Sequence, residues 1–454
     1  MGPFGSRIKK ENFTNSGIPV IKGGNLNGDF ILEDNFDYLT IDKADELSTS
    51  NAFKRDIVIT HRGTIGQVGI IPDNSKYERY VVSQSQLKVS LDESRVNPFF
   101  VYYFLRSPIG QHRLLSNASQ VGVPAIAQAS TSVKSILVPV PKIEVQNKVV
   151  EILLNLDHKI EANQQTNETL EAMAQAIFKS WFVDFDPVRA KIAAKKAGRD
   201  PEKAAMAAIS GVSLEMDWDE IESTLQQKLN HMTGDQAAQL RHTASLFPDE
   251  LVDSELGEVP KGWGVKSLDK IADFLNGKAM QKYPPEDGKP TLPVLKIAQL
   301  RKSDTEGADI ATADIPERFQ IRNGDMIFSW SGSLLIRLWA GGDAALNQHL
   351  FKVTSEEYDQ WFYYHWTKFH LDNFIRIAES KAVTMGHIKR SHLKEAKCAI
   401  PDKELLEIGG QQIKPLLQQS MKLNLESNNL AELRDTLLPK LISGELEVHA
   451  KENI

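Results

Sequence analysis

The chain has 454 residues, 41% of them hydrophobic and 25% charged, with a net charge of −7, which is too long for one ordinary core and implies two or three domains. A mean hydropathy of −0.32 excludes a disordered or membrane-embedded polypeptide, and no apolar run reaches the roughly 18 residues that span a bilayer. The N-terminus MGPFGSRIKK has no apolar signal region, so a cytoplasmic protein without a membrane partner is expected; the lone Cys398 supplies neither an intrachain disulfide nor a thiolate zinc cluster.

Residues 1–142 carry 16 Lys and Arg against 13 Asp and Glu, and residues 259–402 carry 20 against 18, so the acidity lies in the connectors. Phosphate binding fits that balance, though a solvated face produces the same count. The two basic stretches are copies of each other. Ile18-Pro19-Val20-Ile21-Lys22 returns as Leu292-Pro293-Val294-Leu295-Lys296, and Asp56-Ile57-Val58-Ile59 as Asp325-Met326-Ile327-Phe328, followed by Gly63-Thr64 and Gly332-Ser333. Gln84-x-x-Leu87-Lys88-Val89 matches Gln348-x-x-Phe351-Lys352-Val353, and Tyr102-Tyr103 matches Tyr363-Tyr364. The order is kept while the offset drifts from 274 to about 261, as loop insertions and deletions produce between copies of one fold. Each copy reads as mainly β, in short Val/Ile runs bounded by Gly, Asn and Asp. Aromatic, helix-compatible stretches follow at residues 99–105 and 361–369, and read as core.

A helix of period near 3.5 follows each copy. From Glu144 to about Asp184, the residues Val149, Leu153, Leu156, Ile160, Asn163, Asn167, Leu170, Ala174, Ile177 and Trp181 alternate steps of four and three and share one seam. At 1.5 Å per residue that helix is roughly 60 Å long. At an offset of 260, Leu416, Leu423, Leu430 and Leu437 recur every seven residues with Ile413, Ser420, Ser427, Arg434 and Leu441 interleaved. Two such helices in one chain most simply pack on each other, with Asn163 and Asn167 facing polar seam positions to fix register. The fold class is therefore α+β: two pseudo-repeated modules, each a mostly β core with helices, separated by a pair of long antiparallel coiled-coil helices. Residues 188–258 have no repeat partner and read as a helical insertion. Its Ala/Lys-rich run from Lys191 to Gly198 is expected to be an exposed helix face, with a phosphate contact as the alternative.

Motifs that organise reactive chemistry are missing. There is no Gly-x4-Gly-Lys-Ser/Thr loop and no Gly-x-Gly-x-x-Gly after a strand, so neither ATP nor a dinucleotide has a seat. Asn97-Pro98-Phe99-Phe100 lacks the second proline of an amino-methyltransferase turn and reads as a loop-to-helix start. His365/His370 and His387/His392 are five apart, which is wrong for two ligands on one helix face, so no metal site is expected. The chain reads as noncatalytic.

Together these features resemble the specificity (S) subunit of type I restriction-modification systems over nearly the whole length. Gly2-Pro3-Phe4-Gly5-Ser6 with Gly17-Ile18-Pro19-Val20-Ile21 is similar to the opening of a first target recognition domain, and residues 253–263, DSELGEVPKGW, to the lead-in to a second. Residues 170–188, LEAMAQAIFKSWFVDFDPV, are similar to the end of that family's central helix, and residues 433–446, LRDTLLPKLISGEL, to the end of its distal one. The resemblance implies recognition domains at 1–142 and 259–402, a central long helix at 143–187, an insertion at 188–258, a distal helix at 403–448 and a tail at 449–454. It implies a noncatalytic subunit of a methyltransferase and ATP-dependent endonuclease complex, each domain reading half of a bipartite site in double-stranded DNA. The helices would set the spacer and dock two methyltransferase (modification) subunits, with restriction motor subunits joining through the methyltransferase core. S-adenosylmethionine, ATP and Mg are expected on those partners and no cofactor on this chain. The alternative is an interaction scaffold, a truncated specificity subunit that assembles with partners without competent DNA reading.

The resemblance makes polar groups near the repeated glycines the candidate DNA contacts: Lys22, Arg62, Thr64 and Gln84 in the first copy, Lys296, Arg301, Arg337 and Gln348 in the second. Arg forks onto guanine and Gln onto adenine. Lys22/Lys296 and Gln84/Gln348 recur, whereas readers of different half-sites should differ; these four are expected to support the fold or touch phosphate, leaving Arg62, Arg301 and Arg337 as the better base readers. One departure stands out. With Ile18 on Leu292, Met1 falls opposite Leu275, and the first copy has no counterpart of residues 263–274: either the true start lies upstream or this domain lacks an element.

Overall fold

Short Val/Ile runs broken by Gly, Asn and Asp form the strands of the first unit, which comprises residues 1–161 and 429–454. They are β1 (Phe13–Thr14), β2 (Ile18–Ile21), β3 (Asp37–Leu39), β4 (Asn51–Ala52), β5 (Ile57–Thr60), β6 (Val68–Ile70), β7 (Tyr80–Val82), β8 (Gln86–Val89), β9 (Ala118–Ser119) and β10 (Ala125–Ile126). The computed structural model describes residues 7–26, 28, 30–119, 122–380 and 386–448; the motif Gly2-Pro3-Phe4-Gly5-Ser6 and the tail 449–454 lie outside the described residues. A five-stranded sheet has the order β1-β3-β2-β7-β4 and a three-stranded sheet the order β6-β5-β8. Helices α1 (Ile41–Glu46), α2 (Pro98–Arg106), α3 (Pro108–Leu115) and α4 (Ala129–Lys134) complete the module. Asn97 caps α2, accepting from the Phe99 N–H at 2.9 Å with Pro98 in the first turn, the pairing that starts a helix most cheaply. Phe99 to Leu105 are all buried, against Ile57, Ile59, Val68, Ile70 and Leu87, so these aromatics are core.

The long helix α5 (Ile143–Phe182) leads out of the module. The second unit, residues 162–428, then contains α6 (Asp186–Lys196), α7 (Pro201–Ile209), α8 (Trp218–Asn230) and α9 (Gly234–Ser245). The basic run on α6 is largely the exposed face expected of it, with Ala193, Lys195, Lys196, Ala197 and Gly198 exposed, and Lys191 is the exception. Lys191 is buried and donates to Glu202 at 2.7 Å and to the Phe247 carbonyl at 2.8 Å, and Lys195 pairs with Asp249; a buried ammonium demands such partners.

The second module follows: β11 (Leu251–Ser254), β12 (Gly257–Pro260), β13 (Gly264–Ser267), α10 (Leu268–Ile271), β14 (Asp273–Asn276), β15 (Thr291–Leu295), α11 (Ile297–Lys302), β16 (Ile310–Thr312), β17 (Gln320–Ile321), β18 (Met326–Ser329), β19 (Leu335–Leu338), β20 (Ala344–Leu346), β21 (Leu350–Thr354), α12 (Gln360–Ser380), α13 (Arg390–Glu395) and β22 (Lys397–Ile400). Helix α14 (Lys403–Ser443) is the last helix among the described residues. Duplication is visible in the strand register. The parallel pair β2·β7, with Val20 opposite Val81, recurs as β15·β20, with Val294 opposite Ala345. The antiparallel pair β5·β8, with Ile57 opposite Val89, recurs as β18·β21, with Met326 opposite Val353. The order β3-β2-β7-β4 returns as β16-β15-β20-β17, and β6-β5-β8 as β19-β18-β21. Among the described residues, only the second copy adds β14 to β21 and β13 to β22; β13 and the start of β14 come from the segment 263–274 that has no match in the first.

Within each unit α5 and α14 pack antiparallel. Val149 and Leu153 meet Leu438, Leu441 and Ile442 in the first unit; in the second, Asn163 donates to Glu426 at 3.2 Å and Asn167 to Asn424 at 2.9 Å. The expected seam is shifted in places. Leu156 is half-buried while Asp157 is buried, and Leu417 and Leu438 are buried where Leu416 and Leu437 are only half-buried. A strict seven-residue pattern drifts by about 20° per heptad around a straight α-helix, so a neighbouring position turns inward. Asp157 accepts from Arg434 at 2.8 Å and from the Tyr103 hydroxyl at 2.5 Å; burial and the Asp157 charge hold that phenol protonated. Arg434→Leu, which removes the cationic partner of the buried Asp157 carboxylate, is expected to lower the stability of the first unit by about 3–5 kcal/mol in denaturant titration, and Asp157→Leu on top of it to recover most of the loss. A double variant as unstable as the single one would contradict this account.

Candidate nucleic-acid interface

Three polar segments of the first module are tied together by main-chain hydrogen bonds. The turn after β5 is tight, with Gly63 and Gly66 at φ of +87° and +89°, values that favour glycine. His61 N–H donates to the Ser85 carbonyl at 3.0 Å, Gly63 N–H to the Pro124 carbonyl at 2.9 Å and Ile126 N–H to the His61 carbonyl at 2.9 Å. The second module repeats all three: Trp330 to His349 at 3.4 Å, Gly332 to Gly386 at 2.9 Å and Ile388 to Trp330 at 3.0 Å. On that common main chain the side chains differ. His61, Arg62, Thr64, Ser85 and Ala125 stand where the second copy has Trp330, Ser331, Ser333, His349 and His387.

Arg62, Thr64 and Gln84 are exposed, and no side-chain hydrogen bond or ion pair engages Arg62 among the described residues. Gln84 borders a groove of about 390 Å³ shared with Lys22, Gly23 and Ser83. In the second copy Gln348 donates to His349 Nε2 at 3.3 Å, which leaves the proton on Nδ1 to donate to Ser331 Oγ at 3.0 Å. Trp330 lies between His349 and His387, with ring centroids 6.2 and 6.3 Å away, and its indole N–H donates to Asn276 at 3.0 Å. This cluster of donors and flat rings presents hydrogen-bonding groups and stacking faces.

Lys22 pairs with Asp37, lies 4.8 Å from the Phe13 ring centroid and has its pKa lowered by burial; Lys296 pairs with Asp309 in the same place. Lys88 and Asp56 sit 3.6 Å apart, and their counterparts Lys352 and Asp325 2.8 Å. These repeated ion pairs tie neighbouring strands. Arg301 is exposed near the end of α11, and Arg337 is exposed in the middle of β19 opposite Ile327; the structure does not gather either with the turn at 331–333. Residues 61, 85, 330, 349 and 387 were missed by sequence reasoning, and extending the repeat through the turn after Ile59 and Phe328 would have found His61 and Trp330.

Among the described residues no group of three His, Cys, Asp or Glu is placed to hold a metal, and no helix is long and apolar enough to cross a membrane. Cys398 is buried and its thiol pKa pushed up by that burial.

One loop scaffold used twice with two sets of side chains, on paired helices, defines a two-module recognition protein. The type I restriction modification DNA specificity domain matches residues 4–172 and 260–434, one match per copy. The chain belongs to this family: it is the DNA sequence-specificity subunit of a type I restriction-modification system, itself noncatalytic. The type I restriction enzyme HindI specificity subunit of Haemophilus influenzae is 27% identical over 406 residues, covering 85% of this chain and 87% of that one. The MjaIX specificity subunit of Methanocaldococcus jannaschii is 22% identical over 437 residues, covering 91% and 85%. The crystal structure of the S subunit from M. genitalium covers 96% of this chain and 91% of that chain at 16% identity and a TM-score of 0.46.

Scaffold and display residues should separate in stability measurements. Lys352→Met, which removes the partner of Asp325 and a bond to the Gln320 carbonyl, is expected to destabilise the second unit by about 1–3 kcal/mol, whereas Arg62→Ala should change stability by no more than about 0.5 kcal/mol, both read from denaturant midpoints.

Proposed function

We propose that the two modules read different halves of one bipartite sequence in double-stranded DNA, through the side chains displayed on the turns at 61–64 and 330–333 and on the adjoining residues 84–85 and 348–349. The observation that supports this reading is the repeated main-chain framework carrying unlike side chains: phosphate contacts position a protein on DNA, and differences in base-edge contacts specify the sequence. Arg62 is the strongest candidate base reader, with Thr64, Gln84 and Gln348 beside the same turns. Lys22 and Lys296 support the fold. The paired helices set the number of unread base pairs and dock two methyltransferase subunits, through which the motor subunits join. S-adenosylmethionine, ATP and Mg reside on those partners, this chain holds none of them, and the assembly works in the cytoplasm. Small positive balances on the two modules release few counterions, so the isolated chain binds DNA weakly.

Exchanging residues 259–402 for the matching domain of a relative should change one half-site and leave the other intact in methylome sequencing of a host carrying the complete system. A change in both halves would refute independent reading. Adding four residues after Leu170 and four after Ser420 lengthens the helix pair by about 6 Å, close to one turn, and should lengthen the unread spacer by one or two base pairs at about 3.4 Å each with both half-sites kept. An unchanged spacer in an active complex would show that the helices do not set half-site separation.

A further inference from the structure

The two displayed turns each end in a one-pair bridge, and at that bridge the copies have exchanged sides. In the first module Arg62 and Ala125 face each other antiparallel; in the second Ser331 and His387 do. The same two main-chain bonds frame each pair. Gly63 N–H reaches the Pro124 carbonyl and Ile126 N–H the His61 carbonyl, both at 2.9 Å, while Gly332 N–H reaches Gly386 at 2.9 Å and Ile388 N–H reaches Trp330 at 3.0 Å. Bonds that flank a facing pair in this way mark the non-hydrogen-bonded kind, in which the Cα atoms approach to about 4.5 Å and both side chains leave from one face.

Side chains that close favour one large partner and one small. In the first module the large one is Arg62, exposed opposite the half-buried Ala125. In the second it stands on the other strand: His387 is exposed, and Ser331 opposite it is 4% exposed, its hydroxyl bonded to His349 at 3.0 Å. The basic group has changed strands without changing face. Its surroundings have changed with it. The His387 ring lies edge-on to Trp330, with centroids 6.3 Å apart and planes at 81°, and Trp330 is held in turn by Asn276 at 3.0 Å and by the Phe351 ring at 5.7 Å. A short imidazole thereby gains a rigid wall that a long guanidinium does without.

Resting on the reading that these turns contact base edges, we propose that His387 is a specificity-determining residue of the second module and takes the place that Arg62 has in the first, a place that Ser331, Arg301 and Arg337 do not hold. Arg62 offers a fork of donors that matches O6 and N7 of guanine. The imidazole directs a single N–H outward, which suits the N7 acceptor common to both purines. His387 therefore selects a purine at one position of the second half-site, and Trp330 positions its ring.

The test is methylome sequencing of hosts carrying the complete system with variants of this chain. His387→Ala should relax one position of the second half-site, raising methylation of sites altered there by roughly tenfold or more, with the first half-site unchanged. Ser331→Arg added to His387→Ala rebuilds the first-module arrangement and should restore selectivity at that same position, now for guanine. A second half-site left intact by His387→Ala overturns the proposal, as does relaxation in the first half-site or selectivity regained at a different position. If His387→Ala abolishes methylation, Arg62→Ser with Ala125→His decides: a first half-site that keeps its base preference overturns the proposal, and one that shifts at a single position upholds it. Exchange of residues 259–402 separates this inference from the reading beneath it, since an exchange that switches one half-site while His387→Ala alters none means that the modules read DNA and His387 does not.

Discussion

A carboxylate buried without partners is too costly to keep ionised, and the way Asp157 escapes that penalty organises the first unit. It sits on α5, takes a hydrogen bond from Arg434 on α14 and another from Tyr103 on α2, so one side chain joins both long helices to the helix that backs the β6-β5-β8 sheet. A purely apolar seam would tolerate sliding by a turn; a buried ion pair is satisfied in one register. Asn163 with Glu426 and Asn167 with Asn424 apply the same constraint in the second unit, where amide and carboxylate groups replace leucine at the seam. The helix pair gives up some apolar burial for a defined alignment, which is the best attested use of polar groups in coiled coils.

Each module divides its residues by task. Lys–Asp pairs between adjacent strands and three main-chain bonds across the turns are repeated almost group for group. Nothing in that framework requires a particular side chain at positions 61, 62, 64, 85 or 125, and there the copies diverge. Arg62 and Thr64 are exposed on a turn whose geometry is set by glycines and carbonyls, so their chemistry is available to a ligand without being needed for folding.

What the sequence disclosed follows from the range of the interactions involved. The duplication was legible because strand cores and their ion pairs leave ordered, same-type matches such as Asp56/Asp325 and Lys88/Lys352. The long helices were legible because a seam repeats locally. Asp157 was not, since a charged residue in a seam contradicts the apolar pattern and only its distant partners explain it. Lys191 escaped for the same reason: its burial depends on Glu202 and the Phe247 carbonyl. The clustering of the turn at 61–66 with residues 83–86 and 124–126 rests on main-chain bonds that side-chain identity does not encode, and Arg301 and Arg337, singled out as arginines unmatched between the copies, are not among the residues that the equivalent bonds of the second copy join.

Because carbonyls and amide hydrogens hold the turns, the displayed residues are nearly free of pleiotropy. A substitution at Arg62, Thr64 or Ser333 leaves the hydrogen bonds that shape its own turn untouched, so the mutational path between two displayed sets need not cross a valley of misfolded intermediates. The two copies in this chain, with His61 in one and Trp330 in the other on the same main-chain bonds, are two points already reached along such paths, and a protein built this way can diversify quickly under selection while its architecture stays still.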